Sequence, residues 1–222
     1  MAIEMSLKAW CRRLGILDYA EGLSGLVTVN PRDDLVMAQG LPARAELTRT
    51  SVSYGKLTDA VAAIATAIPT VAAAHTLWNG EPAGGKSYVL ESVTWLSVTS
   101  AAAISGFGMV GCLNVLPLTA VPATSDTLTK VTSMNGRLYS GKAKSSHGVT
   151  VIDDGWWPLP AMNSAVTGGT VTGGLVLHAQ LDGSVIIPPG CVFCTSVCAV
   201  NTTAAGNLFY RWSEVQLPNQ LS

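Results

Sequence analysis

The chain has 222 residues, of which 48% are hydrophobic and 12% charged, with 13 Lys and Arg against 14 Asp and Glu. That length suits one β-sandwich domain with an N-terminal extension, and the near-neutral balance leaves no global field to draw in nucleic acid or an anionic membrane. Charged residues are at about half their usual share, so the surface is expected to be covered by other subunits.

At the start, Met1-Ala2-Ile3-Glu4 lacks the basic start and apolar stretch of a signal peptide, and synthesis in the cytoplasm is expected. Residues 6–21 place Leu7, Trp10, Cys11, Leu14 and Leu17 on one helical face, with Ser6 as cap and Gly22 as stop. This predicts a short amphipathic helix with Lys8, Arg12 and Arg13 on its other side, and makes Leu7, Trp10, Leu14 and Leu17 candidate assembly residues. From Gly22 to Ser53, the turn signals Asn30-Pro31, Asp33-Asp34 and Gly40-Leu41-Pro42 predict an extended arm. The Ala-rich run Thr58–Ile68, capped by Thr58 and stopped by Pro69, reads as a second short helix. It overlaps the longest apolar run, which falls well short of the ~20 residues a bilayer-spanning helix needs, and no membrane contact is expected. The expected division is therefore a helix and arm over 1–55 and a β-sandwich body over 56–222.

Strands are expected at Ala74–Trp78, Ser87–Thr99, Gly106–Leu116, Leu128–Ser133 and Arg137–Ser140, where β-branched and aromatic residues lie between turn signals such as Asn135-Gly136. Between the first two, Gly80–Ser87 matches the phosphate-cradling pattern G-x-x-x-x-G-K-[ST]. A phosphate site of that kind needs a helix N-terminus after the loop. Here Tyr88–Trp95 is strand-like and Pro82 removes a backbone N–H, so a hairpin loop is expected and not a nucleotide site. His75, His147 and His178 are scattered, and Asp153-Asp154-Gly155 reads as a solvated turn. Trp156-Trp157-Pro158 is different, because two adjacent indoles in a loop do not both enter one core. Trp156 and Trp157 are thus candidate ligand or interface residues.

The last fifth, Leu175–Val215, reads as a four-stranded antiparallel meander joined at Asp182-Gly183, Pro188-Pro189-Gly190 and Asn201–Asn207. Period-two alternation puts Leu175, Leu177, Ala179 and Leu181 on one face, and Leu208, Tyr210 and Trp212 on another. Strand parity also separates the cysteines. Cys191 and Cys194 point to opposite faces, while Cys194 and Cys198 share a face ~13 Å apart at ~3.3 Å per residue, too far for a disulfide. Buried thiols are expected, with no metal, no cofactor and no enzymatic constellation. Eight or nine strands at intervals of about ten residues, without helical crossovers, predict a mainly β fold: an antiparallel, jelly-roll-like β-sandwich with an N-terminal amphipathic helix and extended arm.

The run Gly183–Gly190, the Cys/Val/Thr strand after it and the closing Leu208–Glu214 resemble jelly-roll structural proteins of bacteriophages and similar virus particles, over Ala74–Pro218. The resemblance implies a non-enzymatic virion component, whether capsid, decoration, head-fibre or tail-associated protein, made in the host cytoplasm. It implies a homo-oligomer, commonly a trimer, whose arm fastens it to neighbouring copies and other virion proteins. Arg12 and Arg13 are too few for a genome-packaging arm, so no nucleic-acid partner is expected. The alternative is a carbohydrate- or receptor-binding β-sandwich with Trp156 and Trp157 as its stacking platform.

Overall fold

A computed structural model describes residues 43–59, 61–70, 72–99, 106–115, 130–150, 155–161, 176–199 and 204–217. The chain divides into two units, Met1–Glu46 and Leu47–Ser222, and the description below concerns the second, after a short helix α1 (Ala43–Arg49). The predicted helix with Leu7, Trp10, Leu14 and Leu17 lies outside the described residues.

The described residues form eleven strands: β1 (Ser53–Leu57), β2 (Ala62–Ala63), β3 (Ala72–Asn79), β4 (Ser87–Ser97), β5 (Phe107–Val115), β6 (Thr132–Ser133), β7 (Ala143–Thr150), β8 (Trp157–Pro158), β9 (Val176–Ile187), β10 (Cys191–Ala199) and β11 (Ala205–Val215). A six-stranded sheet runs β6-β1-β11-β4-β9, with β2 also on β11, and a five-stranded sheet runs β7-β3-β10-β5-β8. Every named pairing is antiparallel, and the two sheets make a mainly β, sandwich-type fold. The pairings nest. First pairs with last (β1 with β11), then β3 with β10, β4 with β9 and β5 with β8.

Alternation within each strand decides what lies between the sheets. Leu177, Ala179, Leu181, Val185 and Ile187 of β9, Leu208, Tyr210 and Trp212 of β11, and Phe193 and Val197 of β10 all join one buried cluster. Facing aromatic rings knit it across the gap: Phe193 to Tyr210 at 6.5 Å between centroids, and Trp95 to Phe107 at 6.0 Å. These are separations at which ring pairs attract beyond their buried area. In β4 the inward residues are Tyr88 and Leu90, then Val93 and Trp95. The parity flips because Glu91 is an extra residue, where the register on both neighbouring strands shifts.

Five expectations need correction. The segment Thr58–Ile68 is not helical: among its described residues Ala62–Ala63 pairs with β11, and Ile64 and Ala65 donate backbone N–H groups to Ala204 and Val197. The end of the sandwich offers these edge partners, and tertiary pairing outweighs alanine's helix propensity. The body begins before residue 56, since β1 sits between β6 and β11, and the stretch expected to be an extended arm is helical over Ala43–Arg49. Asp182-Gly183 is not a hairpin turn. Both residues do take positive φ, 46° and 81°, but the chain resumes on the same partner, so the dipeptide makes a bulge inside β9 opposite Glu91. The terminal segment is therefore no meander: β9, β10 and β11 alternate between the two sheets.

Smaller differences follow the same logic. The loop at Gly80–Ser87 crosses from one sheet to the other, because β3 and β4 do not pair. Arg137–Ser140 is not a strand, whereas Ala143–Thr150 is, its polar text suiting the outer place beside β3.

Close approach is tight at Gly206, where a Cβ would run into the Leu96 carbonyl and the Trp95 indole. Gly206→Ala is expected to destabilise the body by about 1–3 kcal/mol, as overpacking of a filled site does. Urea unfolding followed by tryptophan fluorescence measures this, and Gly84→Ala, a position of positive φ facing open space, gives the cost of backbone strain alone.

Candidate functional site

Two buried carboxylates of the body, Glu214 and Glu91, each gather a cluster of polar partners. At one end of the sandwich Glu214 occupies an inward position of β11, in register with Tyr88 of β4. It is 2% exposed, and alternation there calls for an apolar residue. Tyr139 donates its hydroxyl to Glu214 Oε1 at 2.7 Å, and the Trp212 indole N–H reaches the same oxygen at 3.4 Å. Lys86 places its Nζ 3.6 Å from Oε2. Around this carboxylate the rings close: Tyr54 stands edge-on to Tyr139 at 5.0 Å, and Tyr88 lies 5.9 Å from Trp212.

Burial pushes the Tyr88 and Tyr139 hydroxyls far above their ordinary value. The negative Glu214 adds to the shift at Tyr88, and Tyr88 followed by Glu214 adds at Tyr139. Tyr54 moves the same way, from burial first and Glu214 second. Phenols held neutral can donate to a carboxylate but cannot act as bases near neutral pH.

Beside this cluster runs an open groove of about 460 Å³ lined by Trp78, Gly80, Pro82, Gly141, Lys142 and Lys144, with Ala143. It includes the residues that begin the G-x-x-x-x-G-K-[ST] match. The loop is fastened by Asn79, whose side-chain amide donates to the Lys86 and Ile187 carbonyls at 2.8 and 2.9 Å and whose Oδ1 accepts the Glu81 N–H. A strand, β4, follows it. The phosphate-cradling geometry of a loop opening a helix is thus not formed.

The second polar place is the β4 bulge. Glu91, the extra residue, is 2.8 Å from Arg211 Nε of β11 and accepts the hydroxyl protons of Ser53 and Ser213. Sequence reasoning missed both Glu91 and Glu214. Glu91 had a legible signal, the switch of inward parity from Leu90 to Val93. Glu214 had none, because a carboxylate at the end of a strand reads as solvent-facing.

The two tryptophans are divided by the five-stranded sheet. Trp157 packs inward, 6.1 Å from Phe193, whereas Trp156 lies against a separate buried group on the outward side and donates its indole N–H to the Thr70 carbonyl at 2.9 Å. They do not form one platform. His75 is buried and faces His147 in register across β3 and β7, and exposed His178 contacts Thr94 and Gln180. Asp153 and Asp154 lie outside the described residues. Among those described there is no group of three or more His, Cys, Asp or Glu placed to hold a metal ion. No helix among them is long and apolar enough to cross a membrane. No protein-family model and no curated protein matches the chain.

The tyrosine cluster generates a pH dependence. Its hydroxyls lose protons in the unfolded chain near pH 10 and only at higher pH when folded, so the stabilisation is fully present below pH 10 and is lost as pH rises above it. Urea unfolding between pH 9 and 11.5 should show stability falling by up to about 1.4 kcal/mol per pH unit for each tyrosine. Tyr139→Phe should make that slope shallower. A slope unchanged by that substitution would show that Tyr139 does not contribute to it.

Proposed function

We propose that the protein is a non-enzymatic structural component of a virus or phage particle, a jelly-roll β-sandwich that assembles with copies of itself. The observation that supports this most is the nested pairing of β1 with β11, β3 with β10, β4 with β9 and β5 with β8. That order arises when one long antiparallel hairpin is rolled into two four-stranded sheets, which is the double Greek key that viral capsid domains share with lectins.

Further support comes from the surface. Only 12% of residues are charged, so large faces can be covered without desolvating ions. On the outward side of the six-stranded sheet, Leu96 and Val176 are partners across β4 and β9, exposed by 42% and 48%, with Val98 exposed by 56% nearby on the chain. Apolar pairs of this kind suit contact between copies. The N-terminal residues, with Leu7, Trp10, Leu14 and Leu17, are the proposed fastening to neighbours, ending before β1 joins the body. The carbohydrate-binding alternative draws less support, because Trp156 and Trp157 are each engaged within the body on opposite faces of one sheet.

Size-exclusion chromatography with light scattering on the purified chain is expected to return an oligomer, with a trimer favoured. A stable monomer at micromolar concentration would overturn the proposal. Removing residues 1–42 should lower the assembly state while leaving the β-type circular dichroism and the unfolding transition in place.

A further inference from the structure

The outward side of the five-stranded sheet carries its own buried group, in which Trp78, Cys112, Val192 and Cys194 meet and Trp156 packs against them. Cys112 of β5 and Cys194 of β10 are register partners on adjacent antiparallel strands. Both are fully buried, and no disulfide joins them. Directly opposed residues of such strands have Cα atoms about 4.5–5.5 Å apart, inside the range of about 4.4–6.8 Å that a disulfide spans. Asn114, also buried and on the same face of β5, brings its Nδ2 to 2.9 Å from the Cys112 sulfur and 3.8 Å from the Cys194 sulfur.

One amide therefore addresses both sulfurs, and a donor so placed favours a sulfur that carries negative charge. Burial pushes the Cys194 thiol well above its ordinary value, the Cys112 sulfur adds to this, and the Asn114 amide works against it. The other described thiols are not placed to pair with these two. Cys191 belongs to the core between the sheets, and Cys198 lies four residues along β10, ~13 Å from Cys194.

We propose that Cys112 and Cys194 are a modification site, a thiol pair that closes into a cross-strand disulfide when the protein meets a peroxide. The sulfur of Cys194, through the small thiolate fraction that burial leaves it and that the Asn114 amide favours, attacks hydrogen peroxide. The O–O bond breaks, and the sulfur becomes a sulfenic acid as the departing hydroxide takes up a proton. The second sulfur then displaces the sulfenic oxygen, so that an S–S bond forms, the S–O bond breaks and a second water leaves. In sum, two thiols and one hydrogen peroxide give one disulfide and two waters, a two-electron oxidation of sulfur with reduction of peroxide oxygen. The oxidant is small and neutral, which suits a site closed to larger reagents. Once formed, the bond ties β5 to β10 at the middle of their ladder and spans a long stretch of chain. This site is independent of the virion proposal.

The test uses the full-length chain treated with hydrogen peroxide, quenched with catalase, denatured and titrated for thiols, with a parallel non-reduced digest analysed by mass spectrometry. The expected result is loss of two of the five thiols, recovery of both with dithiothreitol, and a linked peptide pair containing Cys112 and Cys194. Cys112→Ser and Cys194→Ala, made separately, should each abolish the recoverable loss. Retention of all five thiols, over-oxidation without a linked pair, or a link through Cys11, Cys191 or Cys198 would each overturn the proposal, and the wild-type digest decides this even if a variant folds poorly.

Discussion

Strands that follow one another along this chain mostly face each other across the core instead of lying side by side, and the rest of the structure depends on that crossing. β3 and β4, β4 and β5, β8 and β9, β9 and β10, and β10 and β11 each change sheet. Packed sheets lie about 10 Å apart, so each connection must climb that distance before the next strand begins. Asn79 secures one such climb by binding the far end of its own loop and the end of β9, and the Gly190 N–H donates to the Asn79 carbonyl at 2.9 Å to bring the next crossing to the same point. Long-range pairing of this kind is slow to find and specific once found.

Glu91, one of the two buried carboxylates, sits where a crossing strand is irregular. At the β4 bulge an unpartnered Glu91 would cost several kcal/mol, and Arg211 with the two serine hydroxyls offsets this. Shifting β4 by one residue against β11 would part Glu91 from Arg211 and turn Leu90 and Val93 away from the core together. The ion pair and the apolar pattern therefore specify the same register. At the sandwich end Glu214 does a similar job through neutral phenols, binding β11 to the segment that carries Tyr139.

The inner strands β3, β10 and β5 of the five-stranded sheet are largely buried on both faces, which gives that sheet two distinct chemistries. Its inner side holds Phe193 and Trp157 in the main core, and its outer side holds Trp156, Cys112 and Cys194. β10 runs through the middle of that sheet and is buried along most of its length. A strand buried on both faces reads as a near-continuous run without polar alternation, and Cys191–Ala199, with no charged residue, is one.

Much of this was legible in the residues themselves. The strands β3, β4, β5, β10 and β11 lie close to where their text places them, the inward sets Leu177-Ala179-Leu181 and Leu208-Tyr210-Trp212 are buried, and parity separated Cys191 from Cys194. What was not legible depends on partners far along the chain. Asp182-Gly183 took its positive φ but met β4 again instead of turning back, alanines 62 and 63 became an edge strand because β11 offered a ladder, and Cys112 came to oppose Cys194 across a separation of 82 residues (194 − 112). The sequence by itself determined which way each side chain points, because the alternation of a strand is a local property of its backbone. Only the tertiary structure decided which strands meet and which polar groups face one another, because pairing is a choice among edges that no local stretch of chain contains.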